Sequence, residues 1–393
     1  MDDSGARHAP PPAVLRGHGA PVASVCALGG ASSGLLASAD AQGGLLLWSL
    51  GTRRAACSAR ASAPHDGVLA VRAASGFGEG CSEGLLTQSR AGVVRAWALG
   101  GGGELRTSEE VEVIDTAATS LCQMAVADRG RTFAVAAADN GVAELWDLRA
   151  GRRVATAGAV ERAGDAATAG RRMFGACTAL CFAGEGGGGG GRSSSQRAAA
   201  MLVAGFEGGA MRAFDMRRPD VALPAVYDAA ASECEAFTQP VLSLAAEADT
   251  RRGGWRLAAG GADTSGALLA LGGGSSDTGG GSLGVQQRLM ARRAGDCAAV
   301  ALRGDGRCAA AGGWDGAVRV FAWKGGRALV RLRYHSDAVS EVAFLPDGAA
   351  EGDVSSDAHD DDGEAPPPRD GHAPTMLASG SRDGTVALWT LRL

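Results

Sequence analysis

Hydrophobic and polar residues alternate with a period of two in short runs, and each pair of runs is split by a turn that contains glycine. Residues 35–48, 85–97 and 133–146 each open on small apolar residues and turn at Gly43, Gly92 or Gly141. Each then ends on a tryptophan five residues later, at Trp48, Trp97 or Trp146. Period two with a tight turn predicts strand–turn–strand, because successive side chains of a strand face opposite ways, whereas a helix repeats near every ~3.6 residues. The unit returns with Phe214, Phe321 and Trp389 at its end, and in a weaker form at 256–271, closing on Leu271.

The seven closing positions, 48, 97, 146, 214, 271, 321 and 389, are separated by 49, 49, 68, 57, 50 and 68 residues. Seven four-stranded units at that spacing predict an all-β, seven-bladed β-propeller, one ring instead of the two or three domains that 393 residues would otherwise suggest. The two longest intervals hold low-complexity stretches at about 184–197 and 348–374, read as disordered insertions. The propeller is assigned to 14–393, and residues 1–13, with Pro10, Pro11 and Pro12, to a disordered tail. The ring is expected to close by N-terminal strand exchange. Val14 and Leu15 would pair as the outermost strand of the blade that holds Leu388 and Trp389, since an open ring leaves a bare sheet edge.

Composition removes several classes of function. The net charge of −5 argues against a protein held to nucleic acid by bulk electrostatics. Lys324 is the only lysine, and it lies between Trp323 and Gly325, so the lysine of a phosphate-binding P-loop is missing. No apolar run of about 18 residues offers a membrane span, and the proline-rich start does not read as a secretory leader. Nine cysteines without paired spacing read as small buried residues of a reducing compartment, and no metal site or cofactor is expected.

Gly17-His18, Trp146-Asp147 and residues 377–389, with Ser379, Asp383, Gly384 and Trp389, resemble WD40 repeats. That resemblance implies a hydrogen-bonded tetrad of His, Ser or Thr, a turn Asp and Trp inside each blade. The last blade carries all four: His335, Ser379, Asp383 and Trp389. Blade one has His18, Ser38 and Trp48, with Gln42 where the acid would be. Blade two has His65, Thr87 and Trp97, with Ala91 at the turn. Such residues are structural, and with no activated constellation elsewhere the protein is not expected to be an enzyme.

A narrower similarity rests on 14–17, 48–54, 308–334 and 388–391. These segments resemble the guanine-nucleotide-binding-protein beta-subunit-like proteins, also called ASTRA-associated protein 1. That resemblance implies a scaffold of the nucleus or cytoplasm. It would work in a chromatin-linked ASTRA or co-chaperone assembly with Tel2–Tti1–Tti2-type subunits and phosphatidylinositol-3-kinase-related kinases, without contacting nucleic acid or membrane. The alternative is a substrate receptor of a cullin-4 ubiquitin ligase, since Trp146-Asp147-Leu148-Arg149 matches the short motif of such receptors. A heterotrimeric G-protein beta subunit would need a long helix before the first strand, and only about 13 residues precede it here.

Both insertions fall between the first and second strands of their blades, so both are expected on one face. Residues 351–370 carry eight acids against Arg369, a net of −7. Weak salt-sensitive contacts are expected with Arg53-Arg54, Arg152-Arg153 and Arg217-Arg218, which follow third strands on that face. The opposite face is left for a partner. Trp314, directly before the turn pair Asp315-Gly316, is expected there. Arg171, Arg172, Met173 and Phe174, and Glu233, Glu235 and Phe237, join it from the connections into blades four and five.

Overall fold

The protein's structure, a computed structural model, describes residues 11–32, 34–75, 83–100, 105–106, 113–127, 132–136, 143–157, 175–183, 201–215, 237–249, 254–263, 265–272, 283–290, 297–346 and 374–393. These form seven antiparallel sheets. Blade one holds β2 (Val22–Ala27), β3 (Leu35–Asp40), β4 (Gly44–Ser49) and β5 (Arg54–Arg60). Blade two holds β6 (Val68–Ser75), β7 (Glu83–Ser89) and β8 (Val93–Leu99), with an outer edge split into β9 (Leu105–Arg106) and β10 (Val113–Asp115). Blade three is β11 (Ala125–Ala127), β12 (Thr132–Ala136), β13 (Ala143–Asp147) and β14 (Arg152–Ala157). Blade four, among the described residues, is β15 (Cys177–Ala183), β16 (Met201–Phe206) and β17 (Met211–Asp215).

Blade five is β18 (Val241–Ala248), β19 (Gly254–Gly261), β20 (Ser265–Gly272) and β21 (Leu283–Met290). Blade six is β22 (Ala299–Leu302), β23 (Cys308–Gly312), β24 (Ala317–Ala322) and β25 (Ala328–Arg333). Blade seven joins β26 (Val339–Phe344), β27 (Thr375–Ser381) and β28 (Thr385–Leu391) to β1 (Ala13–Arg16). β1 runs antiparallel to β28, with Leu15 opposite Val386 and Arg16 opposite Thr385. It begins at Ala13, one residue before the boundary expected from the sequence. First strands of successive blades pack side by side, and β26 meets β2, so the blades form a ring.

The hydrophobic core is divided into the seams between neighbouring blades. Leu36 packs toward blade seven, while Ala37 and Ala39 of the same strand pack toward blade two. A second strand buried on both faces cannot show polar alternation, which is why these runs read as continuous small apolar stretches. The aromatics that close the repeats share one orientation. Trp48 lies in the seam with blade seven, Trp97 in that with blade one and Trp389 in that with blade six, each against the preceding blade.

The turns between second and third strands carry glycines in left-handed backbone, φ 88 at Gly43 and φ 73 at Gly316. A Cβ on Gly43 would stand 2.2 Å from the Ser62 carbonyl oxygen, and one on Gly316 2.4 Å from that of His335. Glycine is therefore required twice over, for its φ and for the close passage of the chain entering the next blade. These turns and the entering connections define one face of the ring, here the upper face. The first-to-second and third-to-fourth-strand connections define the lower face. Both low-complexity stretches sit in first-to-second-strand connections, β15–β16 and β26–β27, and most of their residues lie outside the described ones.

Candidate interaction site

Four blades treat the same polar position in different ways. In blade seven, His335 lies 3.0 Å by Nδ1 from Asp383 Oδ2 and 2.9 Å by Nε2 from Ser379 Oγ, and Trp389 Nε1 donates to that hydroxyl at 3.0 Å. Asp383 Oδ1 accepts the Thr385 amide at 2.9 Å. Burial opposes the ionised form of Asp383, but the Thr385 hydroxyl and amide and the His335 ring outweigh it, and the carboxyl falls below its usual range. Burial also depresses the His335 imidazole, against the pull of Asp383.

Blade one completes its tetrad from a different chain position. Asp40, not the expected position 42, meets His18 Nδ1 at 2.9 Å, and His18 Nε2 lies 2.6 Å from Ser38 Oγ, which also accepts Trp48 Nε1 at 2.7 Å. The correction has a simple geometry. Asp40 ends β3, and its Oδ1 accepts the amides of Gln42 and Gly44 at 2.9 and 2.8 Å, so the carboxylate reaches over the turn.

Blade two keeps only half of the arrangement. Trp97 Nε1 donates to Thr87 Oγ1 at 2.9 Å, but the His65 side chain is 81% exposed and touches Asp66 at 3.5 Å. His65 does not belong to a tetrad, contrary to expectation. His18 and His335 stand four residues before the first residues of β2 and β26, whereas His65 stands three before that of β6. It is out of phase by one, and Ala91 offers it no acid.

Blade six has lost the histidine and kept the acid. Gly313 N donates to Ala317 O at 3.0 Å, and Gly316 N donates to Gly313 O at 3.2 Å, which shapes the turn. Beneath its tip, Asp315 accepts Arg319 Nη2 and Arg331 Nη2, both at 2.7 Å. Partial burial works against the ionised Asp315, but Arg319, the Ala317 amide and Arg331 prevail and set its carboxyl at about 2. Two guanidinium groups thus replace one imidazole.

Trp314 crowns this turn with 48% of its surface exposed, on the upper face as expected. The equivalent turn position in blade seven is Arg382, which is exposed. Arg333, at the upper end of β25, and Arg16, whose Nη2 donates to Tyr334 Oη at 2.8 Å, are also exposed on this face. Phe237 requires correction. It is fully buried in the seam of blades four and five with Val241 and Trp255, so it is core and not surface. Arg171, Arg172, Met173, Phe174, Glu233 and Glu235 lie outside the described residues.

An inter-blade network near the ring's axis had no sequence signal. Glu341 of blade seven accepts Arg72 Nη1 of blade two at 2.9 Å, the Val25 amide of blade one at 3.0 Å and the Ser24 hydroxyl. Arg72 Nη2 continues to Gln123 Oε1 at 2.6 Å, at the entry to blade three. In the Trp146–Arg149 segment, Asp147 Oδ1 accepts the amides of Arg149 and Ala150 at 2.9 and 3.0 Å, which is an ordinary turn. Among the described residues no group of three or more His, Cys, Asp or Glu is placed to hold a metal ion, and no helix is long and apolar enough to cross a membrane.

Ring and seams together define a seven-bladed β-propeller. A family model described as "WD domain, G-beta repeat" matches residues 367–390, in the last blade. Among individual proteins, the chain is similar to "Guanine nucleotide-binding protein subunit beta-like protein 1" of Mus musculus, at 26% identity over 49% of this chain and 44% of that protein. It is also similar to "ASTRA-associated protein 1" of Pyricularia oryzae, at 36% identity over 23% of this chain and 21% of the relative. The same-named protein of Aspergillus flavus matches at 31% identity, over 28% of this chain and 29% of its own length. The matched stretches therefore span less than half of each relative. A solved structure titled "Crystal structure of Chaetomium thermophilum Raptor" superposes with a TM-score of 0.64 at 16% identity, over 99% of this chain and 29% of that one, a likeness of fold alone.

Proposed function

We propose that this propeller is a non-enzymatic scaffold that docks a protein partner on its upper face through Trp314. The observation that carries the reading is the aromatic itself, 48% exposed at a turn tip on the face that also exposes Arg16, Arg333 and Arg382. Exposing an indole to water is unfavourable, and aromatic side chains with arginines dominate interface hot spots. The partner segment that fits is apolar with acidic flanks. The name ASTRA-associated protein 1, carried by two of the similar proteins, supports an ASTRA-type assembly, and we extend it to a co-chaperone-type assembly of the nucleus or cytoplasm. There it would serve chromatin regulation and the maturation of phosphatidylinositol-3-kinase-related kinases beside Tel2–Tti1–Tti2-type subunits.

The test is affinity purification from the native source with wild-type chain and Trp314→Ala. Co-chaperone subunits or the large kinases should co-purify with the wild type. The variant should bind them more weakly by about 2 kcal/mol or more with an unchanged melting temperature. A variant that melts early, or that retains its partners, overturns docking at Trp314. Recovery of a cullin-4 adaptor, lost on Arg149→Ala, would replace the assembly reading with that of a substrate receptor.

A further inference from the structure

Arg53 occupies the left-handed region of backbone space at φ 56. It is the fifth residue after the aromatic that closes its blade. The same place is held by Gly151 in blade three and Gly326 in blade six, both at φ 59. A side chain there carries strain that glycine avoids, so the turn itself does not call for arginine. Arg53 and Arg54 are exposed on the lower face and have no acidic partner among the described residues.

Blade seven lies between blades one and six, and blade six presents Lys324 and Arg327 from its own third-to-fourth-strand connection. Both are exposed, and neither has an acidic partner among the described residues. Arg392, just past the end of β28, adds a fifth exposed cation between the two. The nearby acid of blade six, Asp305, is already held by Arg303 and Arg307. This rim is therefore a run of positive charge with little to neutralise it.

From the same face, between those two neighbours, blade seven sends out its β26–β27 connection. That connection contains 351–370, with eight acids against one arginine. We propose that this acidic segment docks in cis on the rim formed by Arg53, Arg54, Lys324, Arg327 and Arg392. At roughly 3.3–3.6 Å per extended residue, about ten residues on either side of its middle reach some 35 Å, enough for both neighbouring blades. Arg152 and Arg153 take no part: blade three is three places round the ring, and Arg153 is bound to Glu144 at 2.7 Å.

Because Lys324 is the only lysine, a carbodiimide that joins carboxylates to amines without a spacer has a single side-chain amine to use. On the full chain, dilute and at low salt, the expected product is an amide within one chain between Lys324 and a carboxylate of 351–370, mapped by mass spectrometry. Its yield should fall about fivefold or more at ~0.5 M salt, and by a similar factor in the triple variant Arg53→Glu, Arg54→Glu, Arg327→Glu. Arg53→Gly separates docking from folding: it relieves the backbone, so the melting temperature holds or rises while the yield drops. Coupling of Lys324 mainly to other carboxylates, coupling only between chains, or a yield indifferent to salt and to the charge reversals would each overturn the proposal.

Discussion

His18 and Asp40 form the His–acid pair of blade one, with Nδ1 2.9 Å from Oδ2, although the acid comes two residues earlier than Asp383 does in blade seven. In register, Asp40 stands opposite Val22 as Ser381 stands opposite Val339. Asp40 therefore occupies the place of Ser381 and reaches forward to do the work of Asp383. What the blade needs is a carboxylate over the turn, within reach of the imidazole and of two turn amides. The chain position that supplies it can vary.

Asp40→Ala removes the acceptor of His18 and of two amides, and should lower stability by about 1.5–3 kcal/mol. The double variant Asp40→Ser, Gln42→Asp rebuilds the blade-seven arrangement and should recover more than half of that loss. Urea unfolding of the three proteins measures both, and no recovery in the double variant would refute the equivalence.

The two remaining histidines with named neighbours should behave in opposite ways. His335→Ala takes one partner each from Ser379 and Asp383 inside a blade and should cost about 1–3 kcal/mol. His65→Ala, at a surface position, should stay within about 0.5 kcal/mol of wild type. Thermal melts of the two variants side by side decide it.

Acid should unfold the domain in two stages. The His335 imidazole is depressed by burial, so the folded state resists the proton that the unfolded chain takes up. Stability is then lost as pH falls below about 6.5. Asp40, Asp383 and Asp315 are lowered, the last to about 2, so their contribution is present above about pH 4 and disappears as pH falls through the folded values. A series of melts against pH should show both steps, and His335→Gln should remove the upper one and weaken the Asp383 share of the lower, because the ring also helps hold that carboxyl down.

Glu247 moves the other way. Burial first, and the charge of Asp305 second, push its carboxyl up to about 7. Arg256, opposite it on β19, is engaged by Asp249 at 3.2 Å and by the Gly306 carbonyl at 2.6 Å. A raised carboxyl contributes stability that is full below about pH 4.5 and lost as pH rises through 7. Glu247→Gln should therefore melt higher than wild type near pH 8 and equally near pH 5. A constant difference across that range would show that the side chain acts through packing instead.

Leu15 is 1% exposed in the seam of blades seven and one, and its strand covers the edge of β28. Burying a leucine is worth about 1.5–3 kcal/mol, so deleting residues 1–16 should lower the melting temperature by several degrees, and Leu15→Ala by part of that. An unchanged melt would mean that the pairing contributes nothing to holding the ring.

The repeat was legible because a propeller is a local pattern used seven times: period-two runs, a glycine turn and an aromatic five residues on need no knowledge of distant contacts. The same locality revealed the tetrad of blade seven, where each residue sits at its usual spacing, and placed Trp314 at a turn tip. Phe237 and His65 depart from the expectation for a related reason. A composition of exposed-looking connections does not say which residue turns inward, and a shift of one residue moves a histidine from the blade to solvent.

The sequence by itself thus determined the number of blades, their turns and their closing aromatics, since hydrogen bonding between neighbouring strands and the φ of a turn are properties of short segments. Only the tertiary structure decided which acid serves His18, what replaces histidine beside Asp315, and how Glu341 joins blades seven, one and two through Ser24 and Arg72. Those partners come from different strands or blades, in the last case some 270 residues and more apart in the chain. Which polar groups meet is set by the closing of the ring, which brings first strands distant in sequence to within hydrogen-bond distance of one another.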